Sequence, residues 1–184
     1  MSRRCFSLIL LAFFVSTATG SDNSDDCVYT FYVRTGSILK AGTDSKISVT
    51  LGDKAAKSVI IPDLEKGGLM GPGYDYFERS NLDIFTIKAP CIGAPICRIN
   101  VTSDGTGPHH GWYCEYIEVT LTGAHKDCSQ TIFYVQQWLA TDVSPYQLTA
   151  LLDGCSQMTK MVGHGTKGPL VVGNNHQGGA SSSM

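Results

Sequence analysis

Seven cysteines and five histidines are the side chains of this chain best suited to cross-linking, metal binding or nucleophilic attack, and their spacing decides among these. No two cysteines form a C-x-x-C pair, so neither a zinc ribbon nor a thioredoxin-like redox site is encoded. His109, His110 and His125 show no H-E-x-x-H or comparable ligand spacing, and neighbouring histidines in a turn rarely point at one centre. There is no G-x-S-x-G nucleophile elbow. Cross-linking remains as the chemistry of the cysteines, and an enzyme is not expected.

Whether cross-links form depends on the compartment, and the N-terminus speaks to that. Arg3 and Arg4 precede an apolar run from Phe6 to Val15, followed by the small and polar stretch Ser16 to Gly20. This is the order of a secretory signal peptide, with cleavage expected after Gly20. Its apolar core of about ten residues is short of the roughly 20 that a bilayer-spanning helix needs, and no later transmembrane segment is expected. Cleavage removes Cys5 and leaves an even set: Cys27, Cys91, Cys97, Cys114, Cys128 and Cys155. An oxidising compartment makes disulfides their default state. The sequence permits many pairings; the preferred ones are Cys91 with Cys97 or Cys114 inside the domain, and Cys27 or Cys155 with Cys128 tying the ends. Asn100-Val101-Thr102 is the one N-x-S/T sequon and predicts a glycan on Asn100, on an exposed strand or strand end. A net charge of −2, with 14 Lys and Arg spread thinly, gives no basic stripe, so nucleic acid is not an expected partner.

The elements that would position these residues are strands. After an acidic linker at 21–26, β-branched and aromatic residues recur in short runs punctuated by glycine, proline, Asn and Asp. Cys27–Arg34 places Tyr29, Phe31 and Val33 on one face, and Lys46–Leu51 alternates Ile47, Val49 and Leu51 against polar neighbours. Ser58–Ile61, Asp83–Lys88, Cys97–Thr102, Tyr113–Leu121 and Thr131–Leu139 continue the pattern. Seven or eight such strands without useful helices suit an all-β fold, an antiparallel β-sandwich of two four-stranded sheets. Ser144-Pro145-Tyr146-Gln147 carries helix-start signals and predicts a short helix over roughly 145–152, within 143–155. The glycine- and serine-rich residues 156–184 are expected to form a disordered tail.

Several strings resemble one family. Ala41-Gly42-Thr43-Asp44-Ser45-Lys46-Ile47-Ser48-Val49-Thr50-Leu51 resembles the G-T-D-A-x-V-x-I/V-x-L opening of the PLAT, or lipoxygenase-homology, domain. Phe77 to Phe85 is similar to its F-x-x-G-x-x-D-x-F segment, with Ser80 where glycine is frequent. Ser103-Asp104-Gly105, Gly111-Trp112-Tyr113 and Ile117-Glu118-Val119 resemble the third segment, and Phe133 to Ala140, with Trp138-Leu139, the closing strand. These motifs fall in order over 27–142, and the cysteine contexts resemble the plant single-PLAT group of short stress-responsive secretory proteins.

The resemblance implies a non-catalytic, C2-like β-sandwich, monomeric, in the endoplasmic reticulum or the extracellular space (apoplast), binding a protein partner or a lipid membrane surface in stress and growth responses. The alternative is an accessory or lipid-modifying, hydrolytic enzyme component. Some PLAT domains bind calcium at one end, and here the Gly42 carbonyl, Asp44, Asp75 and Asp104 are the candidate ligands; calcium is the one cofactor suggested. Lys40 stands where calcium-binding relatives tend to be acidic, and His110 replaces another acidic position, so the set lacks two carboxylates; the competing reading is that Asp44 and Asp104 form Asx-turns with Gly42 and Gly105 at loop tips. Contact with a membrane or partner is expected through Leu69, Met70, Tyr74, Tyr76 and Phe77, in and after the loop Gly67–Gly73. Tyr76 and Phe77 have an equal claim to the sandwich edge, and Trp112 is expected to pack there.

Overall fold

The computed structural model describes residues 26–124, 126–156 and 169–173; the expected signal peptide, His125 and residues 157–168 and 174–184 lie outside the described residues. Period-two alternation becomes strand wherever the apolar face finds a partner sheet. The strands are β1 Asp26–Thr35, β2 Ile47–Gly52, β3 Ser58–Ile61, β4 Leu82–Pro90, β5 Arg98–Ser103, β6 Trp112–Gly123, β7 Ser129–Tyr134, β8 Gln137–Leu139, β9 Thr149–Asp153 and β10 Leu170–Gly173. One sheet has six strands in the order β10-β7-β6-β1-β4, with β8 also paired to β6; the other has four, β3-β2-β5-β9. The sandwich is therefore unequal, where four strands in each sheet were expected. No described helix is long and apolar enough to cross a membrane.

Register sets the core. Across the larger sheet, Thr131, Val119, Phe31 and Phe85 form one inward row and Phe133, Ile117, Val33 and Asp83 the next. Across the smaller sheet, Ile61, Val49, Val101 and Ala150 align, as do Val59, Leu51, Ile99 and Leu152. All are buried, and only Thr131 and Asp83 are polar. Thr131 donates its hydroxyl to the Ile96 carbonyl at 2.7 Å, which meets the requirement that a buried polar group be paired.

The expected helix over 145–152 does not form. Tyr146 has φ 61°, its N–H donates to the Val143 carbonyl at 2.7 Å, and the chain turns directly into β9. Thr149–Asp153 obeys period two, with Ala150 and Leu152 inward, and extends the open edge of β5. An exposed pair, Arg98 and Asp153 at 2.9 Å, closes that edge. Pairing with an available sheet edge outweighs the local capping signals. The tail is likewise not wholly unstructured, because β10 adds in parallel to β7 and buries Leu170 and Val172.

The disulfides are Cys27–Cys91 and Cys97–Cys155, and Cys114 and Cys128 are free thiols. None of the preferred pairings forms, nor are all six cysteines oxidised. Cys114 pairs in register with Thr35 and Gln137 at one end of β6, whereas Cys128 follows Gly123 beyond its other end. About 30 Å of strand separates those ends, far beyond disulfide reach. Both bridges lie at the end carrying 90–97, 123–124 and 126–128. The opposite end consists of the loops 36–46, 68–81, 104–111 and 140–148.

Candidate functional site

The loop end is held together by its own backbone and hydroxyls. Thr43 and Ser45 are buried, and their hydroxyls donate to the His109 carbonyl at 2.7 Å and the Thr106 carbonyl at 2.6 Å. The Thr43 N–H donates to the Phe77 carbonyl at 3.3 Å, which joins the third loop. Gly42 allows this approach: a Cβ there would lie 3.0 Å from the Arg79 nitrogen and 3.3 Å from Glu78 Oε2. Gly107, at φ 88°, faces Asp44 in the same way: a Cβ there would lie 3.0 Å from the Asp44 Cβ.

Stitching these loops brings Asp44, Asp75 and Glu78 together, with carboxylate oxygens within 4.8 Å of one another. Like charges this close repel unless a cation lies among them, and a calcium ion takes six to eight oxygens, carboxylates and carbonyls included. The residues fit such an ion. Asp44 and Asp75 were expected in the set and Gly42 abuts it, but Asp104 is not a member of any three-residue acidic group among the described residues. Its Oδ1 instead accepts the Lys46 N–H at 3.1 Å and the Thr106 N–H at 3.0 Å, fixing the turn. Partial burial pushes the Asp104 carboxyl up, but the Thr106 and Lys46 donors outweigh it and hold it below the usual carboxylate range. Glu78 replaces it. Its signal was a carboxylate three residues past Asp75, in the F-x-x segment that Gly42 must face.

Asp83 positions that segment from inside the core. Its Oδ2 accepts the Phe77 N–H at 2.7 Å, Oδ1 accepts the Tyr74 hydroxyl at 3.2 Å, and Asn81 donates to the Tyr74 oxygen at 2.9 Å. Burial pushes the Asp83 carboxyl up, these two donors partly offset the rise, and the Glu78 charge adds to it.

Of the expected contact residues, Leu69 is 60 % and Met70 43 % exposed, while Tyr76 and Phe77 belong to the core and Tyr74 packs against it. Tyr76 sits 5.1 Å from Phe85 and its hydroxyl accepts the Met70 N–H at 2.9 Å, so it anchors the exposed tip. Trp112 is wholly buried, with Phe77 edge-on at 5.3 Å. Ile38 and Leu39, the latter 77 % exposed, were missed as surface apolar residues; two adjacent aliphatics before Lys40 were the available signal. Asn100 lies on the outer face of the interior strand β5, half-buried, with Oδ1 enclosed and without a hydrogen-bond partner. His109 and His110 do not share a centre: His109 Nδ1 is 3.0 Å from Asp44, and His110 Nε2 is 3.7 Å from Asp142. Burial pushes the Cys114 thiol far up, with the Glu115 charge adding to the rise, so it is a packing residue and not a nucleophile.

The two-sheet β-sandwich is C2-like. The fold is similar to that of the coral 8R-lipoxygenase, with a TM-score of 0.50 and 19 % identity over 68 % of this chain and 16 % of that one. Among plant sequences, Arabidopsis thaliana PLAT domain-containing protein 2 is 55 % identical over 150 residues, covering 81 % of this chain and 82 % of that protein. PLAT domain-containing protein 1 of the same plant is 54 % identical over 158 residues, covering 84 % and 87 %. Residues 13–144 match the family described as Embryo-specific protein 3, (ATS3). The chain belongs to that family and is a plant-type single-PLAT protein. The match ends before β9, β10 and Cys155, so the edge strand of the smaller sheet and one cysteine of the Cys97–Cys155 bridge lie beyond it.

Proposed function

We infer that this protein is a non-catalytic binding module of the secretory pathway whose loop end docks, with calcium, on a lipid surface during stress and growth responses. The observation that carries the reading is the meeting at one end of three carboxylates with the exposed aliphatics Leu69, Met70, Ile38 and Leu39. A calcium ion held by Asp44, Asp75 and Glu78 would present unfilled positions to lipid phosphates, while the aliphatics enter the acyl boundary. Calcium activation via a C2-like domain is described for the coral 8R-lipoxygenase; the proposal rests on this chain's own carboxylates. A buried, inert Cys114 and the engagement of the Thr43 and Ser45 hydroxyls with backbone carbonyls support a binding role over catalysis.

Co-sedimentation of the protein with vesicles of mixed anionic and zwitterionic phospholipid tests this reading. Binding is expected with calcium and loss of binding with chelator. Equal sedimentation in both conditions would remove calcium from the account, and no sedimentation in either would turn it to a protein partner.

A further inference from the structure

Beside the acidic cluster runs an open groove of about 590 Å³ lined by Leu39, Lys40, Arg79, His109, Trp138 and Val143, among others. That volume falls within the range of small-molecule sites. Its charges are unevenly satisfied. Asp142 lies 3.7 Å from His110 and Asp44 3.0 Å from His109, contacts that are ion pairs only with the imidazoles protonated, while Glu78 lies against Gly42 and belongs to the acidic cluster. Lys40 and Arg79 have no ion-pair partner among the described residues. Two cations without an ion-pair partner therefore line the groove, which also carries the Glu78 and Asp142 carboxylates and an apolar surface. Leu39 and Val143 are exposed, and Trp138 is half-buried, 5.6 Å edge-on from Tyr113.

We propose that this groove binds a monomeric amphiphile, its phosphate or carboxylate head between Lys40 and Arg79 and its aliphatic chain along Trp138, Leu39 and Val143. An arginine and a lysine supply a planar fork and a point charge for such a head. The apolar side chains exclude an inorganic anion as the full ligand, because their surface would stay wet. The groove is concave and does not include the exposed Leu69–Met70 tip, which favours a single molecule over a bilayer as its ligand. The inference deepens the lipid-facing reading of the loop end and rests on it.

The test uses the full chain in chelator, so that no calcium ion bridges the probe to the acidic cluster, with dodecyl phosphate below its micellar concentration as the probe. Isothermal titration is expected to give saturable one-to-one binding, weakened about tenfold or more in Lys40→Glu/Arg79→Glu. Both side chains are exposed, and an unchanged thermal midpoint verifies that the variant folds. Trp138 emission should shift on binding, because Trp112 is enclosed in the core and Trp138 is not. Equal affinity in the variant, equal affinity for inorganic phosphate, or no saturable binding would each overturn the proposal. No binding of the monomer in chelator, together with calcium-dependent binding to phosphatidic acid vesicles, would also overturn it, while leaving the calcium-dependent docking reading standing.

Discussion

Trp112→Ala is expected to destabilise the protein by about 3–5 kcal/mol, a fall of roughly 10 °C or more in Tm for a domain of this size. Trp112 opens β6, is fully buried, and lies opposite Leu139 of β8. Its Nε1–H donates to Thr35 Oγ1 at 3.0 Å, and Phe77, stacked 5.3 Å from Phe85, meets its ring edge-on. Truncation leaves a cavity under the loop end and a buried Thr35 hydroxyl without its partner. Urea unfolding should show a lower midpoint at unchanged m-value. Trp112→Phe keeps most of the ring volume and should lose a smaller part, mainly the hydrogen bond at about 1–2 kcal/mol.

Removing the second bridge, with Cys97→Ser/Cys155→Ser, is expected to cost about 4 kcal/mol on the chain-entropy scale for a sequence separation of 58. The bridge ties β5 to the chain just past β9, so its loss also loosens the edge strand of the smaller sheet. Peptide mapping of the non-reduced protein should recover Cys27 with Cys91 and Cys97 with Cys155. Alkylation of the native protein should label exposed Cys128 and leave Cys114 untouched until unfolding, since Cys114 is enclosed in the core. Recovery of a bridge between Cys128 and Cys27 or Cys155 would contradict the observed pairing.

Strands with clean alternation were legible because each carries its own burial pattern: Ile47, Val49 and Leu51 of β2 point inward as their spacing demands. What the sequence hides is what a distant partner decides. Thr149–Asp153 carries helix-start residues ahead of it, yet the open edge of β5 makes it a strand. Thr131–Leu139 reads as one strand but breaks at Gln136, whose φ of 48° separates β7 from β8. The cysteine pairing was hidden for the same reason, since register along β6, and not spacing, separates Cys114 from Cys128. Within the site, Asp44 and Gly42 stand in the motif string Ala41–Leu51, and Asp75, a candidate outside the quoted motifs, lies in the same acidic group as Asp44. Asp104 and Glu78 exchanged roles because one carboxylate is consumed by a turn and the other is carried to the cluster by the approach of its loop to Gly42.

A calcium titration of the isotopically labelled full chain, read from amide chemical shifts, tests most directly that the loop end is the calcium-dependent binding end. Saturable shifts are predicted for residues 42–45, 74–79 and 109, absent in Asp75→Asn/Glu78→Gln, with the disulfide end around Cys91 and Cys97 unmoved. Shifts confined to the disulfide end, or none at millimolar calcium, would contradict the account.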